Sequence, residues 1–415
     1  MNLNFGYGHA EQSLEISDKQ ILKVLYANQI DHQYRDEEAV QYALDHPIGA
    51  GLLRDSVRQG MKVAIVASDI SRPVPSSRIL PSILKELLTA GIPYSDISVV
   101  FALGSHRRHT EEEKEHLAGE EVYRLVHCED SVESGFRHLG TTDRGTPVDV
   151  CRTVADADFV ICTGNVEFHY FAGYSGGYKA IMPGCSTVEA IQKNHTAMTS
   201  SNAHSGKIEG NPVREDIEAA GKICGVDYIV NVVLDEHKNI VYAAAGDAIK
   251  AHRDACAYLD RMYRCRIPQK ADIVIVSQGG APKDANLYQV QKALENAKHA
   301  VKEGGTIILI GECPEGFGSQ VFEEWFMAAS SPRELSERIG REFVLGGHKA
   351  AAIGKVEMSA EIILVSKMDP DTVRRIFMKP AEDLQSAWKM AIEKQGTEAT
   401  VIAMPFGGAT LPVCE

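Results

Sequence analysis

The sequence lacks several features that define large classes of proteins. No apolar run approaches the roughly 18–20 residues that a membrane helix needs, and the first residues show neither the basic nor the apolar segment of a signal peptide. Positive charge is not in excess, because 57 acidic residues outnumber 43 basic ones. The resulting net charge of -14 disfavours nucleic acid and anionic membranes as partners, since both are negatively charged.

Paired cysteines and short cofactor motifs are also missing. The 9 cysteines are scattered without CxxC spacing, which predicts free thiols in a reducing compartment and therefore a cytoplasmic protein. Neither a GxGxxG fingerprint nor an HExxH zinc motif occurs. Coiled-coil heptads are absent too, so a homo-oligomer is compatible with the sequence but no oligomeric state is indicated.

Short β-branched runs instead alternate with helical patterns. The runs span residues 62–68, 97–103, 158–163, 228–234, 272–277, 306–310, 361–365 and 400–403. The helical patterns include 77–89, 110–126, 212–222, 285–302 and 332–342. Such alternation predicts α/β domains with mostly parallel sheets flanked by helices. A segment at 264–270 precedes a new strand, so we predict an N-terminal domain over 1–266 and a C-terminal domain over 267–415.

Side chains suited to catalysis follow four of the predicted strands. Ligands of open α/β sheets collect beyond the carboxyl ends of the strands, so the coincidence indicates a binding site. In chain order the segments after these strands contain Asp69 and Arg72, then His106 and Arg107, then His169 and Lys179, and finally Lys283 and Asp284.

The glycine-rich loop at 173–179 resembles a phosphate loop only superficially. Tyr178 and Ala180 stand where a Walker motif needs Gly and then Ser or Thr. The glycines permit tight turns and a close approach to a flat or bulky ligand. Lys179 is then an anion contact or a covalent anchor, and a solvated lysine in a glycine loop is the alternative.

One histidine is predicted to point inward from its helix. With Ser186 as the N-cap, His195 shares a face with Val188 and Ile191. An inward histidine is a core residue, a metal ligand or a proton carrier. Its spacing from His169 does not establish a zinc site.

A helix in the C-terminal half carries three further polar candidates. Helical spacing brings Tyr288 and Gln289 close to Lys292, because residues three or four apart are neighbours on a helix surface. The three side chains either face a cleft or form a solvated surface.

Together these segments resemble the nickel-dependent lactate racemase family. The most specific segment is FHYFAGYSGGYKAIMPG at 168–184. The others are Asp69-Ile-Ser-Arg72-Pro73, Gly104-Ser-His106-Arg107, Asn194-His195 and PKDANLYQVQK at 282–292, in the same order through nearly the whole chain.

This resemblance implies two α/β domains with the active site in the cleft between them. It also implies a nickel pincer nucleotide, a cofactor derived from a pyridine dicarboxylic acid. A lysine matching Lys179 holds this cofactor through a thioamide bond, and a histidine matching His195 completes the nickel coordination. Two acid/base histidines match His106 and His169.

Further positions follow from the same resemblance. Arg72 and Lys292 match residues that hold the anions of substrate or cofactor. Asp69, Tyr288 and Gln289 match positions around the cofactor. Such a protein depends on cofactor-biosynthesis proteins, and the apo form is expected where that pathway is missing.

The implied activity is racemisation or epimerisation at C2 of a small-molecule 2-hydroxy acid, lactate or a related acid. Direct removal of the C2 proton is costly beside a carboxylate, whereas hydride transfer avoids the carbanion. Each enantiomer then needs a base for its hydroxyl proton, and a histidine suits that role near neutral pH. Arg72 can bind the carboxylate bidentately.

Three alternatives remain open at this point. Arg108 stands where the family often has proline, and it either favours a second carboxylate on the substrate or points to solvent at the start of a helix. The protein could be a cofactor-binding homologue that has lost turnover. A zinc-dependent hydrolase using His169 and His195 is the more distant alternative.

Overall fold

The chain divides into two compact units in a computed structural model that describes residues 1–341, 343–344 and 346–414. The terminal unit combines Met1–Gln29 with Met262–Glu415, and the central unit is Ile30–Arg261. Both are α/β units with largely parallel sheets flanked by helices, which confirms the predicted fold class.

Strands occur along the whole chain. In chain order they are β1 (Asn2–Tyr7), β2 (Ala10–Glu15), β3 (Ile21–Val24), β4 (Val63–Ser68), β5 (Ile97–Ala102), β6 (His127–Asp130), β7 (Phe136–Thr141), β8 (Pro147–Cys151), β9 (Phe159–Asn165), β10 (Phe168–His169), β11 (Gly173–Tyr174), β12 (Tyr228–Leu234), β13 (Ile240–Gly246), β14 (Arg264–Ile267), β15 (Ala271–Ser277), β16 (Val301–Ile310), β17 (Glu361–Val365), β18 (Lys379–Ala381), β19 (Val401–Met404) and β20 (Leu411–Cys414).

Helices connect most of these strands. In chain order they are α1 (Asp36–Asp45), α2 (Leu53–Ser56), α3 (Ser76–Thr89), α4 (Glu111–Ala118), α5 (Glu120–Leu125), α6 (Arg152–Ala155), α7 (Val188–His195), α8 (Pro212–Cys224), α9 (Lys250–Tyr263), α10 (Leu287–Ala297), α11 (Gln320–Ala328), α12 (Pro332–Arg341), α13 (Gly347–Glu357), α14 (Pro370–Arg375) and α15 (Leu384–Gln395). Within the described ranges, none of them combines the length and apolarity needed to cross a membrane.

The main sheet of the central unit has the strand order β13-β12-β9-β4-β5-β6. Only β13 runs antiparallel to its neighbour. The chain leaves β4 for β5 on one side and later returns as β9 on the other, so the order reverses between β4 and β9. Loops that follow these two strands therefore open at a topological switch point, the usual place for ligands in such sheets.

The main sheet of the terminal unit is parallel and has the order β18-β17-β16-β15-β19-β3. Its order reverses at β15, which lies between β16 and β19. The segment after β15 leads into α10, so this unit also presents a loop and a helix start at a switch point.

The assignment of the first 29 residues differs from the predicted division into 1–266 and 267–415. These residues belong to the same unit as the C-terminal part of the chain. β3 pairs with β19 at the edge of the terminal unit's sheet. The hairpin of β1 and β2 buries Leu3, Phe5 and Leu14 against the core of that sheet. Burial of these apolar side chains provides the physical reason for the assignment.

Two predicted helices are shorter than expected. The helix predicted over 110–126 is interrupted at Gly119, whose φ of 83° lies in the left-handed region that ends helices. The helix predicted over 285–302 ends at Ala297, because Val301 already begins β16. The predicted last residue of the helix over 332–342, Glu342, lies outside the described residues.

Candidate active site

Asp69 and His106 lie at the carboxyl ends of the adjacent strands β4 and β5, and they contact each other. Nδ1 of His106 lies 3.2 Å from Oδ2 of Asp69 and 3.1 Å from the hydroxyl of Ser71. The guanidinium of Arg72 approaches the same carboxylate, with Nε 4.0 Å from Oδ2. Three of the predicted site residues therefore form one cluster in the central unit.

The Asp69 carboxylate determines which ring nitrogen of His106 carries the proton. Burial alone would raise the pKa of Asp69, but hydrogen bonds from His106 and Ser71 outweigh it and hold that pKa below its usual range. An ionised Asp69 accepts a hydrogen bond, so Nδ1 of His106 carries the proton and Nε2 carries the lone pair. His106 is thus arranged as a proton acceptor at Nε2.

A buried histidine that the sequence analysis did not single out supports this loop. Nε2 of His109 accepts a hydrogen bond from the backbone N–H of Ile70 at 3.1 Å. Its Nδ1 lies 2.6 Å from Asp130 Oδ1, and Asp130 Oδ2 accepts from the His109 backbone. The pair joins the segment after β4 to the end of β6. Its sequence signal, a histidine three residues after His106, is too weak to assign this role.

His169 lies in a short hairpin formed by β10 and β11, where it pairs with Gly173. The backbone N–H of Ala172 donates to its Nδ1 at 3.2 Å. Burial, and after it the nearby positive charge of Arg72, holds the pKa of His169 well below its usual range. The neutral ring therefore carries its proton on Nε2, which is the arrangement opposite to that of His106.

Lys179 lies in a one-turn 3-10 helix, Gly177–Ala180, after the hairpin. Its pKa is well below the usual lysine value, first because the amine is desolvated and then because Arg72 and Arg214 are nearby cations. Across the described ranges of the chain, Nζ has no hydrogen bond or ion pair. Lys179 is therefore disposed to be a neutral amine, which is the nucleophilic form.

His195 is the last residue of α7 and is only 6% exposed, as the inward orientation predicted. The predicted N-cap is wrong, because Thr187 caps the helix through the N–H of Ala190. The helix therefore starts at Val188, which is 55% exposed and does not share the buried face of His195.

A second layer of hydrogen bonds orients the imidazole of His195. Its Nδ1 lies 2.9 Å from Oδ1 of Asn194, whose Nδ2 donates to the buried Asp216 at 2.7 Å. Asn194 Oδ1 can only accept here, so the proton of His195 lies on Nδ1 and the lone pair on Nε2. A histidine that binds a metal through Nε2 needs this tautomer, and such second-layer partners commonly fix it.

Phe171 contacts both His169 and His195 and lies near Lys179. Its ring centroid lies 4.5 Å from that of His169 and 4.8 Å from that of His195, both edge-on. Nζ of Lys179 lies 6.0 Å from the same centroid. No sequence pattern assigns a role to Phe171, since an aromatic residue between two motif residues carries no such signal.

The glycines of the 173–179 loop pack against protein atoms. A Cβ at Gly173 would lie 2.0 Å from the carbonyl oxygen of Lys207, and one at Gly177 would lie 3.0 Å from the ring of His252. Both have positive φ, 79° and 59°. The loop therefore requires glycine for its own conformation and packing, independently of any ligand.

The remaining predicted site residues lie in the terminal unit, in the first turns of α10. Tyr288 and Gln289 are partly buried and Lys292 is exposed. Tyr288 packs edge-on against Phe322 with ring centroids 5.5 Å apart, and Lys349 lies 3.7 Å from the Tyr288 centroid. Asn286 caps the helix through the N–H of Gln289.

The two arginines after His106 have different environments. Arg107 pairs bidentately with Glu113 at 2.6 and 2.7 Å. Arg108 is exposed, and among the described residues its guanidinium has no ion pair. The charge at Arg107 is therefore largely compensated, whereas that at Arg108 is available to an anion.

Comparison with protein families covers most of the chain. Residues 7–206 match the family described as lactate racemase N-terminal domain. Residues 267–411 match the lactate racemase C-terminal domain.

Characterised proteins and solved structures give the same result. The chain is 31% identical to the lactate racemase of Thermoanaerobacterium thermosaccharolyticum, covering 98% of each chain. It is 31% identical to the lactate racemase of Lactiplantibacillus plantarum, covering 90% of each. The lactate racemase apoprotein structure from T. thermosaccharolyticum superposes with a TM-score of 0.91 at 30% identity over all of both chains. A Thermotoga maritima structure shares the fold at 18% identity with a TM-score of 0.64, covering 91% of this chain and 98% of that one.

Proposed function

The chain belongs to the lactate racemase family, a family of isomerases, and from this we propose that it inverts C2 of a 2-hydroxy carboxylic acid, lactate or a related acid. The opposite proton arrangements of His106 and His169 are the observation that most directly supports the proposal. A racemase must take a proton from the hydroxyl of one enantiomer and return one when the other forms.

The residues present fit a nickel pincer nucleotide, with Lys179 as its covalent anchor and His195 as its protein ligand to nickel. Lys179 is a desolvated amine disposed to be neutral, which is the form that can become acylated. His195 has the tautomer of a metal ligand. Among the described residues, no group of three or more His, Cys, Asp or Glu is arranged to hold a metal ion. Donors supplied by the cofactor itself are consistent with such a site.

When bound, the cofactor supplies an acceptor for the hydrogen that leaves C2 as hydride. His106 accepts the hydroxyl proton at Nε2, and Asp69 stabilises the imidazolium that forms. His169 donates a hydrogen bond from Nε2 to the carbonyl oxygen of the planar 2-keto acid. Return of hydrogen to the opposite face, and of the proton held by His106 to the oxygen, gives the other enantiomer. His169 donates its hydrogen bond in both directions and keeps its Nε2 proton, because its Nδ1 accepts from a backbone N–H.

Charged side chains position the substrate and the cofactor. We propose that Arg72 binds the substrate carboxylate through its guanidinium, whose planar geometry suits a carboxylate. Lys292 is the second anion-binding residue, and Asp69, Tyr288 and Gln289 lie around the cofactor. Cofactor-biosynthesis proteins must act before the enzyme turns over, since the chain provides the anchor and not the cofactor.

The test is a racemisation assay of His106→Gln and His169→Gln, with all proteins produced alongside the cofactor pathway. Each substitution should lower kcat at least about 10²-fold, the usual range for loss of an acid/base group. His116→Gln on the exposed face of α4 is the matched control and should keep wild-type activity.

Cofactor content, measured by intact mass, separates loss of chemistry from loss of loading. Loaded His106→Gln and His169→Gln proteins with full activity would contradict the assignment of these histidines. A loaded wild type that fails on a broad panel of chiral 2-hydroxy acids would instead indicate a cofactor-binding protein without turnover.

A further inference from the structure

Asn211, the N-cap of α8, is a fully buried amide with every hydrogen-bonding group used. Its Oδ1 accepts from the N–H groups of Val213 and Arg214 at 3.1 and 3.3 Å. Its Nδ2 donates to the carbonyl oxygens of Phe171 and Lys207 at 2.9 and 3.0 Å. Two acceptor bonds and two donor bonds exhaust the capacity of a carboxamide and fix its orientation.

One of these bonds leads directly to a proposed catalytic histidine. The Phe171 carbonyl that accepts from Asn211 belongs to the same peptide group as the Ala172 N–H. That N–H donates to Nδ1 of His169 at 3.2 Å. Asn211, this peptide group and the imidazole therefore form a continuous chain of hydrogen bonds. Each bond in such a chain polarises and strengthens the next.

We propose that Asn211 is a positioning residue that, through the Phe171–Ala172 peptide, orients His169 and keeps its proton on Nε2. This inference rests on the proposed function, since it explains how two acid/base histidines are held in opposite proton arrangements. Asp69 sets His106 through a carboxylate, whereas a neutral amide 40 residues from Phe171 sets His169 through the backbone.

Two neighbouring hydrogen bonds stabilise the hairpin of β10 and β11 but are not connected to the His169 imidazole through a peptide group. Nε of Arg214 donates to the carbonyl of Ala172 at 3.1 Å, and the N–H of Gly206 donates to the carbonyl of Gly173 at 3.0 Å. The carbonyls of Ala172 and Gly173 belong to the next two peptide groups along the chain. Neither therefore shares a peptide group with the Ala172 N–H. Among these three contacts, only that of Asn211 continues through a shared peptide group to a hydrogen bond on the His169 ring.

The first experiment measures the hydrogen bond in the wild type and needs no variant. In a deuterated, ¹⁵N-labelled apo protein, the amide nitrogen of Ala172 should show a through-hydrogen-bond coupling to Nδ1 of His169. Long-range ¹H–¹⁵N spectra should show Nε2 as the protonated ring nitrogen. A missing coupling or a proton on Nδ1 would overturn the proposal.

The second experiment is Asn211→Ser, which keeps a good N-cap acceptor and removes both Nδ2 donors. His169, identified by the signal lost in His169→Gln, should no longer show a single tautomer. In the loaded enzyme kcat should fall about tenfold with a smaller change in KM, because the effect is on the hydrogen bond from His169 to the reacting oxygen. An unchanged single tautomer in a folded Asn211→Ser protein would overturn the role of Asn211.

The control removes a helix cap in the other unit. Asp383 caps α15 through the N–H of Ser386 at 2.7 Å, so Asp383→Ala tests whether loss of a cap by itself disturbs His169. It should leave the tautomer and kcat unchanged. The spectra use apo protein and do not depend on turnover. A wild type that fails to racemise would overturn the proposed function, whereas the spectra test Asn211.

Discussion

At the scale of single residues, the two acid/base histidines differ in the group that is hydrogen-bonded to Nδ1. That group is a buried carboxylate for His106 and a backbone N–H for His169. The sequence motifs predicted both histidines, but neither partner contact. Asp69 is 37 residues from His106, and Asn211 acts on His169 through a peptide 40 residues away. Contacts at such separations depend on the fold and leave no local pattern in the chain.

The carboxylate behind His106 can be tested by Asp69→Asn. The amide keeps the shape of the side chain but no longer stabilises an imidazolium, so kcat should fall at least about tenfold. Chiral analysis of product from the loaded variant gives this value. Asp371→Asn changes an exposed carboxylate in the terminal unit and serves as control. Equal kcat in wild type and Asp69→Asn would exclude a role for the carboxylate in proton transfer.

The amine of Lys179 should react at lower pH than an ordinary lysine. Desolvation and nearby cations lower its pKa, so the neutral amine is present at pH values where exposed lysines remain protonated. Competitive acetylation of the apo protein, read by peptide mass spectrometry across pH, gives the midpoint for each lysine. The midpoint of Lys179 should lie below that of the exposed Lys19. A midpoint at or above that of Lys19 would contradict a neutral Lys179.

At the scale of elements, the ends of two buried strands were predicted more accurately than the ends of two helices. The runs at 228–234 and 361–365 coincide with β12 and β17, because buried parallel strands are continuous apolar runs between polar segments. Helix ends depend on single residues. Gly119 interrupts one predicted helix, and Thr187 instead of Ser186 caps another. Both adjacent residues are suitable N-caps, so sequence alone could not separate them.

The contact between the β4 loop and β6 should matter for both stability and substrate binding. His109→Leu would leave Asp130 and the Ile70 N–H without their partner, which should cost about 2–3 kcal/mol of unfolding free energy. Displacement of the adjacent Arg72 should raise KM more than it lowers kcat. Urea unfolding and steady-state kinetics measure the two effects.

The matched control for this contact is His116→Leu on α4, because His116 is exposed. Its stability should stay within about 0.5 kcal/mol of the wild type. A His109→Leu protein as stable as His116→Leu, with unchanged KM, would show that the contact does not support the segment carrying Arg72.

At the scale of the whole molecule, the two α/β units were predicted, whereas the position of the first 29 residues was not. Leu3 and Phe5 alternate with polar residues, and this weak strand pattern does not reveal which sheet it joins. Only the pairing of β3 with β19 and the burial of these side chains assign the segment to the terminal unit. Long-range pairing of this kind has no signal in a single sequence.

The stability of the molecule should depend on the protonation of Glu357. Both of its carboxyl oxygens are buried and have no hydrogen-bond partner among the described residues. Burial raises the pKa of Glu357 from 4.5 to about 8. Between these values the folded state binds more protons than the unfolded state, so the stability contributed by this group falls as pH rises.

Glu357→Gln should therefore gain stability relative to the wild type between pH 5 and pH 8.5, by at least about 1 kcal/mol. Urea unfolding at both pH values measures the difference. The exposed Glu323→Gln serves as control and should show no such change. A Glu357→Gln protein whose stability follows the wild type at both pH values would place the ionisation of Glu357 outside this range.

The most direct test of the proposed racemisation is turnover of a single enantiomer in D₂O by protein whose cofactor loading has been verified by intact mass. L-lactate and a panel of related L-2-hydroxy acids would be incubated with the enzyme, and the products would be resolved by chiral chromatography and mass spectrometry. We expect the D enantiomer of at least one acid with its original hydrogen retained at C2, because that hydrogen leaves and returns as hydride. Formation of a D enantiomer with solvent deuterium at C2, or of none from the whole panel, would contradict it.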